Sequence, residues 1–262
     1  MKAYQVIIIG SGPAGIFAAM ELERLGVEGI AVIDRHPYPA GGLLNDGKLN
    51  FDCRVGIDPA ELKLDLAAAQ RLMAQIREIF IRFPGCRQVT FTDRHEKIEE
   101  LENVAREHDA EFVAPEQWHW GTDNGRQVVD YLRGYLAKTE FLLKTEVVSV
   151  SGLPDGAWEV SCIRNKKALR LAARVILAAP GRSGAYWFRD VAGSLGVAHN
   201  FGPIDVGIRI ELNRKFYDEV TDIVYDPKFI FRTARHGDKV RTFCTNPGGR
   251  VRTEDYYSFK LV

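Results

Sequence analysis

The 262-residue sequence has little of what several function classes require. Its four cysteines, Cys53, Cys86, Cys162 and Cys244, lie far apart and form no C-x-x-C pair, which argues against a metal knuckle and a dithiol redox centre; no metal site is expected. The 35 basic and 35 acidic residues cancel, so no net attraction draws the chain to nucleic acid or to an anionic membrane. The one short basic run, Arg164-Asn165-Lys166-Lys167, lies between two strand-like segments and reads as a solvated hairpin turn. No apolar run reaches the length that spans a bilayer. The first residues lack the charged head, apolar middle and small-residue cleavage site of a signal peptide, so a cytoplasmic protein with reduced thiols is expected. No G-x-S-x-G places Ser183 as an esterase nucleophile. Nothing in 201–262 forms a recognisable acid–base or nucleophile set, and the substrate stays unnamed. A chain of this length buries roughly 70–75% of its unfolded surface, enough for one large domain or one with a smaller companion.

What is present begins at the N-terminus. Val6-Ile7-Ile8-Ile9 reads as a strand buried on both faces, and it runs into Gly10-Ser11-Gly12-Pro13-Ala14-Gly15. Each glycine of this G-x-G-x-x-G has its own task. Gly10 permits a sharp strand-to-helix turn, Gly12 lets backbone approach a pyrophosphate, and Gly15 lets the helix pack on the strand. Pro13 suits a first helical position because its φ is already helical. The N–H groups at that helix start hold phosphates. The helix over 14–25 ends at Gly26, and a second strand over 29–33 delivers Asp34, nineteen positions after Gly15. An acid at that distance accepts hydrogen bonds from a ribose 2′-hydroxyl and repels a 2′-phosphate. Strand, glycine turn, helix and acid together give the context that makes the motif a dinucleotide site.

The rest of the chain reads as follows. An irregular segment over 35–58 carries Gly41-Gly42 and Asn45-Asp46-Gly47-Lys48. It is either a mobile surface loop with a turn at 45–48 or a ligand-contacting loop; its departure from the strand end beside the dinucleotide favours the latter. Asp58 and Pro59 open a long helix over 59–83 whose apolar stripe reads as core. A charged helix is expected over 93–108, a short strand over 109–115 and an amphipathic helix over 125–139. Between them Trp118-His119-Trp120 is either a wall over a planar ligand or, the favoured reading, packing around a satisfied His. Strands are expected over 141–143, 145–150, 157–163, 168–171 and 174–178, the last buried and running through Ala179-Pro180-Gly181-Arg182 into a helix over 185–195. The stretch 205–212 alternates apolar and polar residues and reads as a half-exposed strand, followed by strands over 229–233 and 240–245. Cys244 falls in the last of these, where core packing is favoured over a place near substrate. The expected domains are a dinucleotide-binding domain over 1–58 and 110–198, a helical insertion over 59–109 and the start of a substrate or cap domain over 199–262.

These pieces resemble the two-dinucleotide-binding-domain flavoproteins of the glutathione-reductase class, and within it the FAD-dependent dehydrogenases. The resembling stretches are 10–15, Asp34-Arg35, Gly41-Gly42, 45–48, 121–124, 179–184, 205–211 and 241–249. The resemblance implies an α/β fold: a Rossmann-like FAD-binding domain with a parallel sheet and an antiparallel meander, beside a partial second antiparallel β unit. It implies FAD as cofactor, with Gly10, Gly12, Pro13, Ala14 and Gly15 at the pyrophosphate and Asp34 at the adenosine ribose. Arg35, Gly41 and Gly42 would line the ribose and phosphates, backbone at Val147 and Val148 would meet the adenine, and Ala179, Gly181 and Arg182 would close the nucleotide side. Asn45 and Lys48 would lie nearest the flavin ring, where Lys48 would steady negative charge. Partners would be a small-molecule substrate and an electron donor or acceptor. The class ends with a second Gly-Asp motif that this sequence lacks before Lys260-Leu261-Val262, so the front portion of a longer enzyme is expected. Two other functions are weighed: a non-catalytic nucleotide-binding fragment, and a single-domain synthase of the thiazole-forming kind.

Overall fold

The structure is a computed structural model and describes residues 1–39, 45–56, 58–90, 94–200, 202, 204–251, 254–256 and 259–261. In chain order the principal elements are β1 (Lys2–Ile9), α1 (Pro13–Arg24), β2 (Ile30–Ile33), β3 (Lys48–Asn50), α2 (Leu66–Ile81), β4 (Arg87–Gln88), α3 (His95–Glu107), β5 (Ala110–Val113), β6 (Gln117–His119) and α4 (Gly125–Arg133). There follow β7 (Glu140–Leu142), β8 (Thr145–Gly152), β9 (Trp158–Arg164), β10 (Lys167–Ala178), α5 (Ala185–Ser194), β11 (Lys228–Arg232) and β12 (Lys239–Arg241), with a last hairpin of Glu254–Tyr256 and Phe259–Leu261. The fold is mixed α/β, and it divides into two compact units: Met1–Asn45 with Gly125–Val206, and Asp46–Asn124 with Gly207–Val262. These bounds differ from the expected domains. Residues 46–58 and 110–124 group with the second unit because β5 pairs with β11, while β3 and β4 both pair with β6.

The first unit is built on a six-stranded sheet in the order β7-β2-β1-β10-β9-β8. The first four strands run parallel, and β10-β9-β8 form an antiparallel meander. The isoleucine run of β1 occupies its centre, and side-chain alternation sends Ile7 and Ile9 to one face and Val6 and Ile8 to the other. On the Ile7 face they join Leu142, Val160 and Leu171, with Trp187 and Val191 of α5 packed above. On the Val6 face α1 presents Ala18, Ala19 and Leu22 to β1 and β2. That cluster does not reach Val175 and Leu177 of β10, which are exposed, and of the strand expected to be buried over 174–178 only Ile176 is half-buried.

The second unit holds two three-stranded antiparallel sheets, β12-β11-β5 and β3-β6-β4, besides the last hairpin. The helix expected over 59–83 is interrupted. Asp58 caps a short 3₁₀ turn, Pro59–Leu62, through the Ala60 N–H; Lys63 then turns left-handed at φ 57°, and Asp65 caps α2 through the Ala68 N–H at 2.6 Å. Two aspartates that each capture an N–H divide one apolar run into two elements. Of the expected core stripe Ala69 and Phe80 are buried, while Leu66, Leu72 and Ile76 are exposed. Phe80 stacks on the buried Trp120, with ring centroids 5.4 Å apart. A second cluster gathers Ala105, Phe112 and Val224, with Phe229 tilted on Phe112.

The alternating stretch 205–212 forms no strand among the described residues, and Ile204, Val206, Ile208, Ile210 and Leu212 are all exposed. Alternation supplies a preference for extended backbone, but a strand exists only where another strand accepts its hydrogen bonds.

Candidate dinucleotide site and a buried charge cluster

In the first unit the glycine turn is set by close approaches of main chain. Gly10 adopts φ +108°, and a Cβ there would lie 2.1 Å from the Ala179 carbonyl oxygen. The turn at the end of β1 thus lies against the turn at the end of β10, joined by the Ala179 N–H to the Ile9 carbonyl at 2.8 Å, while the Gly10 N–H donates to Ile33 at 2.8 Å. A Cβ on Gly15 would fall 1.9 Å from the Gly10 carbonyl oxygen, so only glycine lets α1 rise so close to the strand it follows. Gly12 is the N-cap residue of α1, Pro13 and Ala14 open the helix, and no side chain caps its start. First-turn N–H groups have no intrahelical acceptor and carry the positive end of the helix dipole. The arrangement fits a phosphate-bearing cofactor.

Asp34 stands at the end of β2, as its spacing predicts, but its carboxylate is already engaged. Oδ2 accepts from the Ser11 N–H at 2.8 Å and the Ser11 hydroxyl at 2.5 Å, and Oδ1 accepts from the His36 N–H at 2.8 Å. Of about four acceptor sites on a carboxylate, one is left, on Oδ1. Ser11 is fully buried, and sequence reasoning did not single it out. Its position inside the glycine motif, one residue beyond the turn and facing the acid of the next strand, was the available signal.

Arg35 donates to the Ser183 carbonyl at 3.3 Å, linking the β2 end to the 3₁₀ turn Arg182–Gly184. Gly181 takes φ +62° with ψ −173°, a conformation that favours glycine, and a Cβ there would meet no atom within 4 Å. Val147 is a core residue, whereas Val148 is exposed. The ladder to β9 passes from Val147 opposite Cys162 to Ser149 opposite Ser161, which leaves Val148 as the extra residue of a bulge. Gly10, Gly12, Pro13, Ala14, Gly15, Asp34, Arg35, Val147, Val148, Ala179, Gly181 and Arg182 therefore all belong to the first unit, and Asn45 is its last residue before the chain leaves it. Gly41 and Gly42 lie outside the described residues.

Lys48 belongs to the second unit. Its ammonium donates to Asp226 Oδ2 at 3.0 Å, to the Thr245 carbonyl at 2.8 Å and to Cys244 Sγ at 2.8 Å, which occupies its three protons within that unit. Burial by itself favours the neutral amine, but the Asp226 carboxylate and the Cys244 sulfur outweigh it and raise the Lys48 pKa above the ordinary lysine value. Asp226 Oδ2 is shared with Lys228 at 2.8 Å, and its Oδ1 accepts from the Thr245 N–H at 2.7 Å. Gln117 completes the cluster. Its Oε1 accepts from the Thr90 hydroxyl and the Asp226 N–H, and its Nε2 donates to Asn50 and to the Asp226 carbonyl.

The loop expected around Trp118-His119-Trp120 is in part the central strand β6. Trp120 is buried, and His119 Nδ1 accepts from the Gly121 N–H at 2.8 Å, which places the ring proton on Nε2. Burial lowers the His119 pKa below the ordinary histidine value. Among the described residues no group of three or more His, Cys, Asp or Glu side chains is placed to hold a metal ion.

A family model described as an FAD binding domain matches residues 3–46. FAD is the cofactor of the opening site. The matched span runs from β1 past Asp34 and contains the glycine turn described above. No curated protein matches the chain. Among solved structures it aligns with FAD-bound L-alpha-glycerophosphate oxidase from Mycoplasma pneumoniae, at 17% identity and TM-score 0.47, covering 74% of this chain and 58% of that one. It aligns with p-nitrophenol 4-monooxygenase PnpA from Pseudomonas putida DLL-E4 at 15% identity and TM-score 0.42, covering 75% and 43%. With L-proline dehydrogenase from P. horikoshii the values are 20% and 0.35, covering 68% and 22%. The chain thus spans well under two thirds of the length of these structures. No helix among the described residues is long and apolar enough to cross a membrane.

Proposed function

We propose that the chain is the FAD-binding part of an oxidoreductase of the two-dinucleotide-binding-domain class, a dehydrogenase acting on a small-molecule substrate. The observation that carries the reading is the uncapped start of α1, seated by Gly10 and Gly15 against the β1 and β10 turns with Asp34 at the neighbouring strand end. When bound, FAD supplies hydride or electron transfer.

The chain's own residues bind and orient. The first-turn amides of α1 hold the pyrophosphate, and Gly12 keeps the approach free of a side chain. Ser11 fixes the rotamer of Asp34, whose remaining acceptor site on Oδ1 takes a ribose hydroxyl. Arg35 and Arg182 bring positive charge to the phosphate side, and Gly181 keeps the β10 turn open. Val148, released from the ladder by its bulge, offers main-chain groups to the adenine edge.

The test is a thermal-shift and fluorescence titration of the purified chain with FAD, ADP and NAD. FAD is expected to protect more than ADP or NAD. Protection by NAD and not FAD overturns the cofactor reading; equal protection by ADP and FAD leaves the adenosine end as the whole of the site and overturns the oxidoreductase reading. Gly12→Val is expected to abolish FAD binding while the far-ultraviolet circular dichroism stays that of the parent chain.

A further inference from the structure

Asp34 is held from more directions than one ribose contact requires. Its N–H donates to the Leu142 carbonyl at 3.1 Å and its carbonyl accepts from the Thr145 N–H at 2.9 Å, so the end of β7 and the start of β8 fix its main chain. Its carboxylate is fixed in turn by Ser11 in the glycine turn and by the His36 N–H two residues on. Ser11 supplies two of these three donors, both to Oδ2, and is itself 0% exposed. Both residues lie inside the FAD-binding span 3–46.

A carboxylate open on both oxygens can clasp the 2′ and 3′ hydroxyls of a ribose together, one on each oxygen. Asp34 has lost that option. Both acceptor sites of Oδ2 are filled, at 2.8 and 2.5 Å, and one of the two on Oδ1 is filled at 2.8 Å. The Ser11 hydroxyl is the group that closes Oδ2, and its proton goes to a charged acceptor, which makes the bond one of the stronger kind. Turning the carboxylate to present its other oxygen would break three hydrogen bonds at once. Two of them come from a residue that no water reaches to replace them.

We propose that Ser11 is a specificity-determining residue of the cofactor site: by closing Oδ2 it confines Asp34 to a single ribose hydroxyl and aims the remaining acceptor at it. Ser11 acts through Asp34 and is a positioning residue. The inference rests on the FAD reading of the site. It adds how many hydroxyls the site reads and which residue sets that number, so a nucleotide that lacks the other hydroxyl is accepted.

The test is a calorimetric titration of the full chain with FAD, ADP, 2′-deoxy-ADP and 3′-deoxy-ADP. One deoxy nucleotide is expected to bind about tenfold more weakly than ADP, for the loss of one hydrogen bond to a charged acceptor, and the other within about twofold of ADP. Equal weakening of both overturns the proposal, and so does weakening of neither. Ser11→Ala is expected to weaken ADP about tenfold while leaving the already weakened deoxy nucleotide unchanged, and to have no further effect on ADP in an Asp34→Ala background. A purely structural role would lower the affinity for ADP and both deoxy nucleotides alike, and that result overturns the proposal. If Ser11→Ala does not fold, the two deoxy nucleotides on the parent chain decide the matter. Failure of the parent chain to bind either FAD or ADP brings down the cofactor reading and this inference together. Binding of FAD and ADP with the two deoxy nucleotides alike leaves the cofactor reading standing and brings down this inference alone.

Discussion

The two units keep their shape by different means. In the first, the buried polar side chains among the described residues are Ser11 and Thr145, and the glycine turn is held by main-chain contact between Gly10, Gly15 and Ala179. In the second, Thr90, Gln117, His119, Thr221, Asp226 and Lys228 are all buried, and a shared carboxylate ties β3, β11 and the 243–245 segment together. The first unit is thus sensitive to volume at glycine, and the second to loss of a charge partner. Close-packed backbone has no spare space for a methyl group. A buried charge tolerates volume changes better than it tolerates isolation.

The comparison can be broken at its strongest point with Asp226→Ala. Two buried lysines would lose their common carboxylate, with an expected cost of roughly 3–5 kcal/mol. Urea denaturation with amide hydrogen exchange is expected to show the loss in the second unit, with protection of β1 and β10 kept. Exposure of β1 together with β11 would mean that the two units share one cooperative transition.

Gly15→Ala is the matching test in the first unit. Its Cβ would meet a carbonyl oxygen at 1.9 Å, and destabilisation of about 3 kcal/mol is expected, with FAD binding lost in parallel. A variant of unchanged stability would show that α1 can lift away from the turn. Asp34→Ala is milder. It strands the Ser11 N–H and hydroxyl and removes the ribose acceptor, so about 1–3 kcal/mol is expected in stability and a weaker FAD titration beside it.

The smallest effect concerns pH. The His119 pKa is lowered by burial, so the folded state favours the neutral ring. Its contribution is present above the unfolded value of about 6.5 and is lost as pH falls through the lower folded value. Comparison with His119→Asn should show the parent chain losing relative stability below pH 6.5, by at most about 1.4 kcal/mol per pH unit. Parallel curves would show that the ring titrates alike in both states.

The amino-acid order by itself determined the opening βαβ unit, because each of its requirements is local: four apolar residues, a glycine turn, a proline at the helix start and an acid nineteen positions on. It also placed the meander, whose strands are neighbours in the chain. Tertiary structure alone decided three other matters. Asp34 proved to be tied to Ser11, since a hydrogen bond across twenty-three positions leaves no periodic signal. Lys48, Asp226 and Cys244 met across 178 and 196 positions, which composition and spacing cannot foretell. The stretch 205–212 forms no strand among the described residues despite its alternation, because a strand is a property of two segments and the sequence of one describes only half of it.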